Sequence, residues 1–140
     1  MQITRQADYA LRTIIYLSRL EPDDKAPTSL IAEKQQIPSS FLAKIISQLS
    51  VAGLIHTSRG AHGGVSLAKT PEEISVLEVI EAIDGPVMLN ECTTNPSICP
   101  FTGDCPMRLI WCDARQDLLA KLNSITFEQF SNGHQTNLTI

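Results

Sequence analysis

No apolar run in this 140-residue chain approaches the roughly 20 residues that span a bilayer. The opening stretch, Met1-Gln2-Ile3-Thr4-Arg5, begins an amphipathic pattern and lacks the apolar core of a signal peptide. The expectation is a protein with no membrane association, placed in the cytoplasm. There is no nucleophile–base pairing, no glycine-rich phosphate loop and no internal repeat, so an enzyme is not expected. Basic residues are also short overall: 11 Lys and Arg face 15 Asp and Glu, for a net charge of -4. Taken over the whole chain, that balance argues against a nucleic-acid partner.

The charge is unevenly placed. Residues 1–70 carry eight Lys and Arg against five Asp and Glu, a net +3, and residues 71–140 carry three against ten, a net -7. A basic half joined to an acidic half points to two tasks, of which only the first meets phosphates. With 43% apolar residues, the length fits one modest domain with an extension.

Ile3, Ala7, Ala10, Leu11, Ile14, Ile15 and Leu17 recur at helical spacing and predict a helix over 4–20, capped by Thr4 and stopped by Glu21-Pro22. A short helix capped by Thr28 runs to Lys34. Gln35-Gln36-Ile37-Pro38 breaks it, and a third helix, capped by Ser39 or Ser40 and running to about Val51, buries Leu42, Ile45, Ile46 and Leu49, with Gly53 as its stop. Residues 54–58 and 65–68 flank a glycine-rich turn and read as a β-hairpin. A fourth helix lies within 71–84, its start marked by Ser75 or by Pro71-Glu72-Glu73. Residues 85–106, with four prolines and two glycines, form a long loop, the kind usually kept for function. A last helix spans 106–123 with an apolar stripe of Leu109, Ile110, Trp111, Leu118, Leu119 and Leu122, and a polar tail, 131–140, frays.

Helix, turn, helix and hairpin in that order make a winged helix-turn-helix, whose second helix enters the major groove by its N-terminal end. That end presents Ser39, Ser40, Phe41 and Lys44, with hydroxyls for phosphate or base edges and an added positive charge. At the hairpin tip Arg59 is suited to a narrow minor groove, and Gly60, Gly63 and Gly64 let backbone approach phosphate closely. His62, in the same turn, joins the candidate set. These glycines alone serve equally well to close a tight turn; the helix pair and the local positive charge favour DNA binding.

All four cysteines lie between 92 and 112, spaced Cys92-x6-Cys99-x5-Cys105-x6-Cys112. Such clustering points to a metal or redox site more than to a disulfide framework. Zinc usually takes close cysteine pairs, which are absent, and the wide spacing in a Pro- and Gly-bearing loop favours an iron–sulfur cluster held by Cys92, Cys99 and Cys105. Cys112 lies seven residues along the last helix, roughly 10 Å from Cys105, and reads better as a packed thiol than as a ligand. Asp8 and Arg12, at i and i+4, form an ordinary surface ion pair on this reading. His56, His62 and His134 show no grouping as metal ligands, and Trp111 reads as core.

Several stretches together resemble the Rrf family of bacterial regulators over roughly residues 1–130: Met1-Gln2-Ile3-Thr4, Asp8-Tyr9-Ala10-Leu11-Arg12, Ile31-Ala32-Glu33, Phe41-Leu42, Gly53-Leu54-Ile55, Ser58-Arg59-Gly60 with Gly63-Gly64, and the three-cysteine loop before Trp111. The resemblance implies a homodimer joined through the last helix, binding a palindromic operator in double-stranded DNA. It also implies that the cysteine loop lies beside the first helix of the other subunit, so that change at the cluster tilts the DNA-reading heads. IscR-like members use a histidine three residues after the third cysteine, where this chain has Arg108. NsrR-like members use an aspartate from the other subunit's first helix, and Asp8 matches it. The match implies a [4Fe-4S] cluster in preference to [2Fe-2S], with nitric oxide as the signal. The first cysteine gap is six residues here, where five is usual in both branches.

The expected fold is therefore mainly α with a small β-hairpin wing. Residues 1–84 form the DNA-binding domain, 85–105 the cluster loop, 106–130 the dimerisation helix and following segment, and 131–140 the tail. The expected function is a cluster-dependent transcription regulator, a repressor, sensing nitric oxide, redox state or iron–sulfur status. Its alternatives are a zinc-bound or metal-free thiol-redox regulator, and an iron–sulfur carrier that does not bind DNA.

Overall fold

Thr4 sets the start of the first helix, α1 (Arg5–Ser18), by accepting a hydrogen bond from the Ala7 N–H at 3.1 Å. The computed structural model describes residues 2–131. Ala7, Ala10, Ile14 and Leu17 line one face of α1 and are buried. The two buried hydroxyls on that helix turn back onto its own carbonyls, Thr13 onto Tyr9 at 2.8 Å and Ser18 onto Ile14 at 2.6 Å, so neither enters the core unsatisfied. The helix ends at Ser18, two residues short of the expected Leu20.

Helices α2 (Thr28–Gln35) and α3 (Ser39–Val51) follow. Their starts differ from expectation. Pro27 and Pro38 stand at the cap positions, Thr28 and Ser39 are already helical, and no side chain caps either helix. A proline with extended backbone directs the chain into each helix, which leaves the hydroxyls of Ser39 and Ser40 outside the capping role. The two helices close alike: Ile37 N–H reaches Ala32 O and Leu54 N–H reaches Leu49 O, both at 3.0 Å. The left-handed residue in the second closure is Gly53 (φ 77°); in the first it is Gln36 (φ 52°), the one non-glycine with positive φ among the described residues.

Strands β1 (Ile55–Ser58) and β2 (Gly64–Leu67) pair antiparallel, from Ile55 opposite Leu67 to Ser58 opposite Gly64. Ala26 and Val65 exchange two backbone hydrogen bonds (3.0 and 2.8 Å), which fasten the hairpin to the chain ahead of α2. Pro71–Glu73 form a separate 3-10 turn, and Ser75 is the true cap of α4 (Val76–Asp84): Ser75 Oγ accepts from Glu78 N–H, and the Glu78 carboxylate accepts from Ser75 N–H. The long loop is partly ordered into two more 3-10 turns, Glu91–Thr93 and Pro96–Ile98.

The last long helix, α5 (Pro106–Ser124), buries none of its 19 residues fully. It packs on α4 and on the Glu91–Thr93 turn, leaving Leu109 70% and Ile110 53% exposed. After it the chain returns to the first half. Val76 N–H bonds Ile125 O, Phe127 N–H reaches Ile74 O, and the Phe127 side chain is fully enclosed in the core with Ile14, Ile31, Leu42, Ile45, Leu49 and Val79. A short helix, α6 (Glu128–Ser131), ends the described chain. The rest of the expected tail, 132–140 with His134, lies outside the described residues. No helix among the described residues is long and apolar enough to cross a membrane.

Candidate nucleic-acid interface and thiol loop

Burial of Leu42, Ile45, Ile46 and Leu49 fixes which side of α3 faces outward. Ser39, Ser40, Phe41 and Lys44 are all on that exposed side, at the N-terminal end. Unpaired amides at a helix start favour phosphate oxygens, and the exposed hydroxyls and Lys44 stand beside them. Phe41 is 45% exposed, with its ring 6.3 Å from that of the buried Tyr9 on α1.

The wing tip spans Arg59 to Gly63 and is closed by Gly63 N–H bonding Gly60 O at 2.9 Å. Arg59, Gly60 and His62 are exposed; Gly63 and Gly64 are half-buried. A methyl group on Gly63 would collide with Ser58 O, and one on Gly64 would lie 2.9 Å from Ala26 O. Both glycines are thus required for the hairpin to close and to dock, whatever they do at DNA. Lys25 adds a cation that sequence reading did not single out: its Nζ donates to Ser58 Oγ at 3.1 Å, next to Arg59. Only the tertiary pairing of Ala26 with Val65 brings it there.

Arg12 links α1 to the turn between α2 and α3. One terminal nitrogen pairs with Asp8 at 3.0 Å, the other donates to Gln35 O at 3.0 Å, and the guanidinium carbon stands 4.9 Å from the centre of the Tyr9 ring. The expected i,i+4 ion pair is present, but the same arginine also reaches the last residue of α2. Arg12 Nε is buried and, among the described residues, has no hydrogen-bond partner.

The four cysteines are free thiols, each half-buried. Cys92 lies in the Glu91–Thr93 turn, Cys99 directly follows the Pro96–Ile98 turn, Cys105 stands at the cap position of α5, and Cys112 is within that helix. Two arginines of α5 hold the loop: Arg108 Nε donates to Cys92 O at 3.3 Å and Arg115 Nε to Val87 O at 2.7 Å. Asn90 adds a third tie, its amide oxygen accepting from Trp111 Nε1 at 3.2 Å, so Trp111 is a half-buried brace of the loop. Thr102 Oγ1 donates to Cys99 O at 2.8 Å. Among the described residues, no three His, Cys, Asp or Glu side chains are gathered into a group able to hold a metal ion. Asp8 is exposed on α1 and paired with Arg12.

A family model described as Rrf2, iron-dependent transcriptional regulator, matches residues 3–133. The HTH-type transcriptional regulator NsrR of Geobacillus kaustophilus is 33% identical over 127 residues, covering 90% of this chain and 86% of that protein. Among solved structures, that of CymR (YrzC), described as the global cysteine regulator of B. subtilis, matches with a TM-score of 0.80 at 25% identity, over 94% of this chain and 96% of that one. IscR of T. potens shares the fold, with a TM-score of 0.72 at 23% identity over 91% of this chain and 83% of that one.

Proposed function

The chain belongs to the Rrf2 family of transcriptional regulators, and from that premise we propose that it is a homodimeric, cytoplasmic repressor of a palindromic operator whose affinity is set by an iron–sulfur cluster. Regulators of this family bind DNA and are not enzymes, so the carrier without DNA binding is set aside. Contact with the operator is assigned to Ser39, Ser40, Phe41 and Lys44 on α3 and to Arg59, Gly60, His62, Gly63 and Gly64 in the wing. All of the α3 group and Arg59, Gly60 and His62 are solvent-exposed on the half with positive net charge.

The donor set fits a cluster in its chemistry: three free, half-buried thiols on one loop, in keeping with thiolate ligation. Cys92, Cys99 and Cys105 would hold it, with Asp8 of the other subunit as the fourth ligand, and the NsrR likeness favours [4Fe-4S] over [2Fe-2S] and nitric oxide as the signal. When bound, the group would supply iron able to bind nitric oxide. The unexpected part lies in this chain's own residues, and one observation carries the reading: Arg12 bridges Asp8 and the Gln35 carbonyl. A carboxylate drawn toward a metal has less to offer a guanidinium. With Asp8 so engaged, Arg12 would rebalance toward Gln35 O and the Tyr9 ring, and the turn ahead of α3 would shift with it.

Iron and sulfide analysis of anaerobically prepared protein, followed by mobility-shift titration of cluster-loaded and cluster-free forms, tests the proposal. Different operator affinities for the two forms are expected; equal affinities overturn the switch. Asp8→Ala is expected to shorten the lifetime of the cluster and alter its visible spectrum. An unchanged spectrum and lifetime remove Asp8 from the ligand set. A metal-free thiol sensor is the second reading, favoured by the ungrouped thiols and by the likeness to a cysteine regulator. It predicts colourless protein whose DNA affinity follows the thiol redox state.

A further inference from the structure

A cleft of about 600 Å³ opens at the root of the wing, away from both the thiols and the outward side of α3. Its walls come from three parts of the fold: the C-terminal end of α1 with the turn after it, the residues leaving β2, and the Pro71–Glu73 turn. Cavities of this size hold small ligands. Leu20, Leu67 and Pro71, each half-buried, give it an apolar floor.

The charged groups at its rim are of both signs. Arg19 and Lys69 are cationic; Glu21, Asp24 and Glu73 are anionic, the last with its carboxylate accepting from Thr70 N–H at 3.0 Å. Arg19 Nε donates to Phe130 O at 3.1 Å, and among the described residues its two terminal nitrogens have no other partner. Lys69 has only a long, exposed pairing with Glu78 at 3.5 Å.

We propose that this cleft binds a zwitterionic small molecule of amino-acid to short-peptide size. Its carboxylate would lie on Arg19 and Lys69, its ammonium toward Glu21 and Asp24, and its apolar side chain on Leu20 and Leu67. The occupant touches α1 and the strand that leaves the wing together, so it fixes the wing against the helices that carry it. This goes beyond the iron–sulfur reading and does not rest on it.

The test is chemical-shift titration of the full-length chain with four probes: leucylglycine, leucinamide, N-acetyl-leucine and N-acetyl-leucinamide. Leucylglycine is expected to give saturable shifts at Arg19, Leu20, Leu67 and Lys69 in the millimolar range, with the singly charged probes weaker and the neutral one weakest. Arg19→Gln is expected to weaken leucylglycine and N-acetyl-leucine roughly tenfold and to leave leucinamide unchanged. Lys69→Gln is expected to act in the same direction and keeps the test decisive if Arg19→Gln loosens the Phe130 segment. No saturation by leucylglycine, or binding of the neutral probe as tight as the zwitterion, overturns the proposal.

Discussion

Arg12 and Arg59 show how differently two arginines of one chain are employed. Arg12 is locked among Asp8, Gln35 O and the Tyr9 ring. Arg59 stands exposed at the wing tip with Lys25 close by through Ser58. On the proposed function, Arg12 carries a change from α1 to the turn before α3, and Arg59 meets DNA. Removing a cation that neutralises a phosphate lowers the slope of log affinity against log salt by about one. Arg59→Ala is therefore expected to weaken operator binding and flatten the salt dependence by about that amount in titrations across a salt series. An unchanged slope places Arg59 away from the DNA.

At the level of elements, the wing depends on contacts that leave no room for a side chain. Gly63 stands against Ser58 O and the Arg59 carbonyl group, so Gly63→Ala forces the backbone of the tip apart. The expected cost is about 1–3 kcal/mol, seen as a lower thermal midpoint together with altered shifts along β1 and β2. A variant with native stability and unmoved hairpin shifts contradicts this account of the turn. The cysteine loop has the opposite character. It is held by Arg108, Arg115 and Asn90 to α5 through backbone and amide bonds, while its apolar side chains Ile98 and Phe101 are 51% and 72% exposed. A segment tied at a few points and buried at none of its cysteines can regroup its thiols without unfolding the core.

Over the whole molecule, the segment after α5 closes the core of the first half. Phe127 is fully buried there, with its ring 5.9 Å from that of Phe130. Phe127→Ala removes a large side chain from an enclosed site, for an expected loss of about 3–5 kcal/mol, measurable by denaturant unfolding. A loss below about 1 kcal/mol means the return segment is dispensable. The outer side of α5 makes the converse case. Met107, Leu109 and Ile110 are 42%, 70% and 53% exposed, an apolar surface of the kind that marks an interface. The double variant Leu109→Asp, Ile110→Asp is expected to turn a dimer into a folded monomer in light-scattering measurements. A dimer that survives both charges is not joined through this surface.

By itself the sequence determined the periodic parts of this protein. Ala7 to Leu17 on α1 and Leu42 to Leu49 on α3 declare their buried sides by spacing alone, because a helix repeats every 3.6 residues. The hairpin was legible from Gly63 and Gly64, and the thiol loop from its prolines and cysteines. What depends on contacts between distant residues was not legible. Pro27 and Pro38 displaced the expected hydroxyl caps because the path into a helix is a matter of chain direction, which hydroxyl spacing does not carry. Lys25 joins the wing only through the Ala26–Val65 bridge, Arg12 finds Gln35 across 23 residues, and Phe127 enters a core built largely by the first 84. Such pairings have no period to read. They are decided by which surfaces the folded chain brings together, and the link from Asp8 through Arg12 to the turn ahead of α3 exists only at that level.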